Sequence, residues 1–145
     1  MIRPAAAADL PALRVLWDRY REETGEGADR DADAWGQWML PRISAGDVRV
    51  GLVERRVAAY VAWQAVTAPP GPRDLRIVEL YVHPDGRGQR IGSGLLARAI
   101  DAARQRACGR AVLTGNVHDE AVRSLAEPFG FALDGEALVL PLRQG

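Results

Sequence analysis

Arginine and glycine are concentrated in residues 87–92, where two of each stand directly before an apolar period of the helical kind. A helix that begins among glycines presents unpaired backbone N–H groups and the positive end of its dipole to an anion. Glycine has no Cβ, so a phosphate can come close to the main chain there. The segment therefore predicts a cradle for a phosphate or pyrophosphate group.

Two common phosphate-binding motifs are absent from this segment. The sequence contains no lysine, and hence no Gly-x-x-x-x-Gly-Lys-Ser/Thr motif. Gly86 and Gly88 are followed by Ile91 at the place where a dinucleotide-binding Gly-x-Gly-x-x-Gly motif needs its third glycine. A pair of glycines alone is more often a tight strand-to-helix turn. The glycines, the two arginines and the helix start together favour an anion site.

The elements on either side of the segment are a strand and a helix. Residues 75–82 are rich in strand-forming side chains, and Pro84 ends this run. The helix that follows carries apolar residues at helical spacing and should stop at Gly109. The anion cradle is therefore expected in the connection between them.

Composition bounds the class of protein. A chain of 145 residues, 48% of them hydrophobic, suits a single domain spanning residues 1–145. Basic and acidic residues number 19 each, and the zero net charge argues against a general nucleic-acid or membrane-surface binder. The single cysteine, Cys108, is expected to be a small buried hydrophobe in a reducing compartment. Without a signal pattern or a long apolar run, we expect a cytoplasmic protein.

Hydrophobic periodicity places the other elements. A strand over residues 1–4 leads to a helix with Asp9 as its N-cap that ends near Arg21. A polar loop over residues 22–33 and a second helix over residues 34–43, interrupted near Pro41, come next. The remaining elements are strands over 48–54, 57–66, 75–82 and 111–114, a helix from Asp119 to Glu127, and strands after Phe131 and over 137–142. This order indicates an α/β or α+β domain with a mixed sheet covered by helices.

Several residues fall at the spacing of a known family motif. The motif V-x-P-x-x-R-G-x-G-I-G-x-x-L-L is matched by Val82, Pro84, Arg87, Gly88, Ile91, Gly92, Leu95 and Leu96. Gly130-Phe131 stands where the same family has a late Gly-Phe pair, and the chain opens with a similar first strand and helix. In these residues, in length and in element order, the chain resembles the GNAT superfamily, the Gcn5-related N-acetyltransferases.

The resemblance implies a fold and a ligand. The fold would be a mixed, mostly antiparallel sheet of about six to seven strands with about four flanking helices and a splayed strand pair. The acyl donor would be acetyl-CoA or a related acyl-CoA, and no metal ion is expected. The pantetheine arm would pair with the backbone of Leu80, Tyr81 and Val82. The pyrophosphate would be held by the loop residues Arg87, Gly88, Gln89, Arg90, Ile91, Gly92 and Ser93.

Three positions depart from the family pattern. Arg90 replaces a glycine, which binding through amides tolerates if φ and ψ at this residue are ordinary, and its guanidinium could add a phosphate contact. Ala126 stands where the family often has a tyrosine that protonates the leaving thiolate. Asp119 and Val122 replace an asparagine and an alanine that are common at the start of that helix.

Acyl transfer to an amine needs a base and a donor for the developing oxyanion. Glu79 is the candidate base, acting directly or through water; the alternative is a glutamate exposed on the solvent face of its strand. By analogy with the family, a backbone N–H near Tyr81 or Val82 would hold the oxyanion. Ser124, Tyr81, Tyr20 or a water could replace the missing acid, and the sequence does not choose among them.

The acceptor is expected to be a primary amine of a small molecule, acetylated by direct attack in a ternary complex. Tyr20, Trp35 and Trp38 are candidate pocket residues, although aromatic core packing is the commoner explanation for such side chains. A protein N-terminus or lysine is an alternative acceptor, and a non-catalytic acyl-CoA-binding or sensing module is an alternative function. Members of the family often form homodimers, but the sequence does not fix the oligomeric state.

Overall fold

The computed structural model describes residues 1–25, 31–67, 71 and 73–142. Seven strands and four α-helices follow one another along these ranges in the predicted order. They are β1 Ile2–Pro4, α1 Leu10–Thr24, α2 Ala32–Ser44, β2 Val48–Val53, β3 Arg56–Val66, β4 Asp74–Val82, α3 Ile91–Gln105, β5 Arg110–Leu113, α4 Glu120–Ala126, β6 Ala132–Asp134 and β7 Ala137–Pro141. No helix within these ranges combines the length and the apolar character that crossing a membrane requires.

The strands form one sheet in the order β1-β2-β3-β4-β5-β7-β6. Neighbouring strands are antiparallel except β4 and β5, which are parallel and are connected through α3. The predicted fold class, a mixed and mostly antiparallel sheet of six to seven strands with four helices, is confirmed.

Each face of the sheet carries its own apolar layer. The layer between one face and the helices α3 and α4 includes Trp63 and Leu75 from the sheet and Leu95 from α3. The layer between the other face and the helices α1 and α2 includes Tyr60 from the sheet and Trp17 from α1. Each fully buried large aliphatic side chain contributes about 1.5–3 kcal/mol relative to an exposed one, so both layers hold the helices firmly on the sheet.

A bulge in β4 moves its side chains from one face to the other. Ile77 pairs with Trp63 and Glu79 pairs with Ala62, so Val78 is an extra residue without a partner of its own on β3. Before the bulge, Leu75 and Ile77 face the layer under α3. After it, Glu79 and Tyr81 face the layer under α1 and α2. The parallel pairs with β5 also end at Ile77. Beyond that point β4 runs on without β5, and the two strands splay.

The first connection is shorter than predicted. α1 continues through residues 22–24, which were expected to begin a loop, and ends at Gly25 with a left-handed φ of 75°. Arginine and glutamate favour helices, so a polar stretch here extends α1 and does not end it. α2 begins at Ala32, where the side chain of Asp31 accepts from Ala34 N–H at 2.7 Å. Residues 26–30 of the predicted loop lie outside the described ranges.

Two smaller predictions are also corrected. α2 passes through Pro41 and ends at Ser44, with Ala45 N–H donating to Pro41 O at 3.0 Å, because a proline near a helix end removes only one backbone bond. Asp9 does not cap α1 with its side chain. Its carboxylate binds Arg3 and the Ala6 N–H instead, and the Arg3 hydrogen bond lowers the pKa of Asp9.

Candidate active site

A cleft of about 640 Å³ opens where β4 and β5 splay apart. Its walls are the free edge of β4, the end of β5, the start of α3, one face of α4 and the last turn of α1. The lining residues are Tyr20, Glu23, Thr24, Val78, Leu80, Tyr81, Val82, Gly86, Arg87, Gly88, Arg90, Ile91, Gly92, Ser93, Leu113, Gly115, Asn116, Asp119, Ala121, Val122 and Leu125. The volume lies in the usual range of small-molecule sites.

The N-terminus of α3 opens into this cleft without a side-chain cap. Arg90 is the N-cap residue and makes no side-chain bond to the helix. Gly94 N–H donates to Arg90 O at 3.1 Å as the first bond of the helix. The N–H groups of Ile91, Gly92 and Ser93 therefore have no helical acceptor, and all three residues line the cleft. This arrangement suits an anionic group.

Two residues of the preceding turn have left-handed backbone conformations. Gly88 has a φ of 82°, which glycine adopts without strain. Arg90 has a φ of 62° and a ψ of 18°, so the ordinary φ and ψ assumed for this residue are not found. A left-handed residue with a Cβ costs roughly 1–2 kcal/mol, and the turn therefore stores strain at the candidate anion site.

The Arg90→Gly variant should be more stable than the wild-type chain. Relief of the left-handed strain, roughly 1–2 kcal/mol, outweighs the extra flexibility of glycine in the unfolded chain, roughly 0.5–1 kcal/mol. We expect a gain of about 0.5–1 kcal/mol in the free energy of unfolding, measured by chemical denaturation. Gln89→Gly is the matched control, because Gln89 has no left-handed φ. A Gln89→Gly variant as stable as Arg90→Gly would contradict the strain at residue 90.

The predicted cofactor residues lie together with one exception. Leu80, Tyr81, Val82, Arg87, Gly88, Arg90, Ile91, Gly92 and Ser93 all line the cleft. Gln89 does not, because its exposed side chain turns back and donates to Asp85 O at 3.3 Å. The expected pantetheine edge and phosphate turn thus share one cavity.

Hydrogen bonding along β4 decides which backbone groups face the cleft. His83 N–H donates to Ala58 O on β3 at 2.8 Å, and the antiparallel pairing continues this alternation to Tyr81, opposite Tyr60. The backbone N–H of Tyr81 is thus directed at β3, and those of Leu80 and Val82 are directed at the cleft. Arg87 Nε donates to Val82 O at 3.1 Å on the same side. Of the two donors expected by analogy, the N–H of Tyr81 does not face the cleft and that of Val82 does, together with that of Leu80.

Glu79 is buried on the opposite face of β4. Its side chain is 2% exposed, so the alternative of a solvent-exposed strand glutamate is wrong. Glu79 Oε1 accepts from Tyr60 OH at 2.6 Å and from Trp35 Nε1 at 3.2 Å. Glu79 does not itself line the cleft. Any contact with a substrate in this conformation would need an intervening group.

The aromatic residues assigned to an acceptor pocket separate into two groups. Tyr20 lines the cleft and packs edge-on against Tyr81, with ring centroids 6.1 Å apart. Trp35 is a core residue that stacks on Trp17 at 4.9 Å, and Trp38 lies beneath the Arg42 guanidinium. Neither tryptophan lines the cleft, because both belong to α2, which packs on the sheet away from the splay.

Ser124 is not positioned to act as the acid. Ala121, Val122 and Leu125 of α4 line the cleft, whereas the side chain of Ser124 is exposed and does not line it. Ala126, at the position of the family tyrosine, is fully buried and has no acidic group. Neither residue of α4 therefore presents an acidic group to the cleft.

Glu23 is a site residue that the sequence did not single out. It lies in the extended last turn of α1, where its carboxylate accepts from Tyr81 OH at 2.8 Å and pairs with Arg87 at 3.0 Å. Burial, followed by the Glu23 hydrogen bond, raises the pKa of Tyr81. The contact forms because α1 extends to Thr24. The helix-forming residues before Gly25 were the feature of the sequence that could have predicted this extension.

Comparison with known proteins agrees with this geometry. The acetyltransferase (GNAT) family model matches residues 10–131. L-amino acid N-acyltransferase MnaT of Escherichia coli K12 is 29% identical over 141 residues, which is 93% of this chain and 81% of that protein.

Two solved structures are similar over nearly the whole chain. yncA of Salmonella typhimurium, solved with its cofactor acetyl-CoA, has a TM-score of 0.81 and 23% identity, covering 100% of this chain and 95% of that one. A ribosomal-protein-alanine N-acetyltransferase of Brucella melitensis has a TM-score of 0.74 and 26% identity, covering 98% and 99%. The family model matches most of the length of this chain. The chain therefore belongs to the GNAT family of acetyltransferases and is an acyltransferase.

Proposed function

We propose that this acyltransferase moves an acetyl group from acetyl-CoA to the primary amine of a small molecule, by direct attack in a ternary complex. The observation that carries the proposal is a single cleft that joins an uncapped helix N-terminus to the free edge of a splayed strand. The first feature suits a pyrophosphate, and the second suits an amide-containing arm.

The residues present fit acetyl-CoA at both ends of the cleft. The amides of residues 91–93 and the Arg87 and Arg90 side chains would hold the pyrophosphate. The backbone of Leu80 and Val82 would bond the pantetheine arm, with Val122 and Leu125 opposite as apolar cover. Gly92 lets Leu125 come close to the start of α3, since a Cβ at residue 92 would lie only 3.3 Å from the Leu125 side chain. Acetyl-CoA supplies the thioester that the amine attacks.

The chain contributes position and charge to the reaction. A backbone N–H of Leu80 or Val82 would stabilise the oxyanion that develops on the thioester carbonyl. Glu79 would accept the proton of the ammonium group through a water or through Tyr60, because it is buried beside that hydroxyl. The route is indirect because this carboxylate is buried and does not line the cleft.

The small-molecule acceptor is supported by the L-amino acid N-acyltransferase named above. The protein N-terminus alternative is supported by the ribosomal-protein-alanine N-acetyltransferase. A CoA-release assay with the L-amino acids, spermidine and an alanine-starting peptide separates them. We expect turnover with at least one of the small-molecule amines. Turnover with the peptide alone would replace the small-molecule acceptor, and CoA binding without turnover would favour a sensing module. The cytoplasmic location, the single-domain organisation and a homodimer stay predictions.

The Glu23→Gln variant should bind CoA more tightly than the wild-type chain. In this conformation Glu23 competes with a phosphate for the Arg87 guanidinium. An exposed ion pair is worth roughly 0.2–1 kcal/mol, so the Kd for CoA should fall by about 1.4- to fivefold in a calorimetric titration at low salt. Glu22→Gln is the control, because it removes the same charge from the same helical turn. Equal Kd values for the two variants would contradict the competition.

A further inference from the structure

The leaving thiolate lacks the acid that the family often places at position 126. Within the described part of the chain, four cleft-lining side chains carry a hydroxyl group: Tyr20, Thr24, Tyr81 and Ser93. We propose that Tyr20, on α1, is the general acid that protonates the CoA thiolate. This inference rests on the proposed function and adds to it a catalytic residue from a different element.

The Tyr20 hydroxyl lies beside Gly115, close to the point where β4 and β5 separate. A Cβ built on Gly115 would be 2.9 Å from this hydroxyl oxygen and 3.8 Å from Val78 O. Val78 directly follows the last β4 residue paired with β5, and Gly115 lies two residues beyond the last paired residue of β5. The hydroxyl thus sits where the strands separate. A pantetheine arm that runs along β4 from the turn before α3 would bring its thioester to this point.

The Tyr20 ring is held in place by its surroundings. It is 6% exposed and meets the Tyr81 ring edge-on at an interplanar angle of 84°. Such aromatic pairs contribute about 0.5–1.5 kcal/mol beyond their burial, so the ring orientation is well defined. A fixed hydroxyl at the reacting end of a cleft is what a general acid requires.

The other three hydroxyl groups have different places in the site. Thr24 Oγ1 donates to Tyr20 O at 2.7 Å. Tyr81 OH donates to Glu23, and burial raises the pKa of Tyr81, which makes it a poorer proton donor. Ser93 belongs to the first turn of α3, at the phosphate end of the cleft.

Acetyl transfer with Tyr20 as the acid exchanges one C–S bond for one C–N bond. The amine nitrogen forms a bond to the thioester carbon, and the C–S bond breaks with its electron pair on sulfur. The Tyr20 O–H transfers its proton to that sulfur, giving CoA thiol and a phenolate. The proton that the amine loses to the base then returns to the phenolate through water. Phenol and thiol groups have ordinary pKa values of about 10 and 8.5, close enough for the proton to be shared as the thiolate forms.

The Tyr20→Phe variant tests the step while keeping the ring. With acetyl-CoA and the L-amino acid that gives the highest wild-type rate, kcat should fall about 100-fold or more, and KM for acetyl-CoA should stay within about twofold. Stabilisation of the fold by CoA should be retained. Val15→Ala, at an exposed position of α1 that does not line the cleft, is the control for disturbance of the helix and should keep kcat.

Gly115→Ala provides an independent variant with the hydroxyl intact. Its new Cβ would displace the Tyr20 hydroxyl, so kcat should fall, and the double variant with Tyr20→Phe should be no slower than Tyr20→Phe alone. A wild-type-like kcat in Tyr20→Phe, or fully additive losses in the double variant, would overturn the assignment of Tyr20 alone. A wild-type chain that releases no CoA with any amine would overturn the proposed function and this inference with it.

Discussion

The Glu79→Gln variant is expected to transfer acetyl groups roughly 10²–10⁴-fold more slowly than the wild-type chain at neutral pH. Glutamine keeps the shape of the side chain and an oxygen that can accept from Tyr60 and Trp35. It cannot take up a proton from the ammonium group, so the amount of neutral amine at the thioester falls. Single-turnover rates of CoA release, measured with saturating acetyl-CoA, isolate this effect from binding.

Asp74→Asn is the matched control for this substitution. It also exchanges a carboxylate for an amide on β4, but Asp74 pairs with Arg110 at the far end of the strand. The control should keep the wild-type rate, and both variants should bind CoA with unchanged Kd. A Glu79→Gln rate equal to that of the wild type at every pH between about 6 and 9 would contradict the role of Glu79 as the general base.

The Glu79→Ala variant should lose about 3–5 kcal/mol of unfolding free energy. Removal of the carboxylate leaves the buried Tyr60 hydroxyl and Trp35 N–H without this acceptor, each at roughly 1–3 kcal/mol, and it leaves a cavity in the α1 and α2 layer. Urea denaturation monitored by tryptophan fluorescence measures the loss directly, since Trp35 is one of the reporters.

Glu79→Gln and Asp74→Ala are the comparison variants for this loss of unfolding free energy. The glutamine variant retains an acceptor and should lose only about 1 kcal/mol. Asp74→Ala breaks an ion pair whose arginine is 45% exposed and should cost less than about 1 kcal/mol. A Glu79→Ala chain as stable as Asp74→Ala would mean that Tyr60 and Trp35 find other partners, and that Glu79 does not organise this layer.

The sequence predicted the parts of the fold that depend on local chemistry. The strand, the glycine turn and the helix of residues 75–105 have their own propensities and breakers, and they came out nearly in place. The candidate anion site followed from them, because a helix N-terminus preceded by Gly88 needs no distant residue to form. The two-sided apolar layering of the sheet followed from the alternation of strands and helices.

The remaining features depend on contacts between distant segments. The bulge at Val78 decides that Glu79 faces the buried layer and Leu80 faces the cleft, and nothing in the local pattern marks it. Glu23 meets Arg87, and the Tyr20 hydroxyl comes close to Gly115, only after α1 has packed on the sheet. The left-handed φ of Arg90 contradicts its residue type, as expected of strain held by surrounding structure.

The stability of the chain in the presence of acetyl-CoA tests the central claim most directly. At a free concentration of 100 times its Kd, acetyl-CoA should raise the unfolding free energy by about 2.7 kcal/mol, and CoA should act similarly because both share the groups that the cleft is proposed to hold. Adenosine at the same concentration, which lacks the pyrophosphate and the pantetheine arm, is the control and should have little effect. A melting temperature that neither acetyl-CoA nor CoA changes would contradict an acyl-CoA site in the splay between β4 and β5.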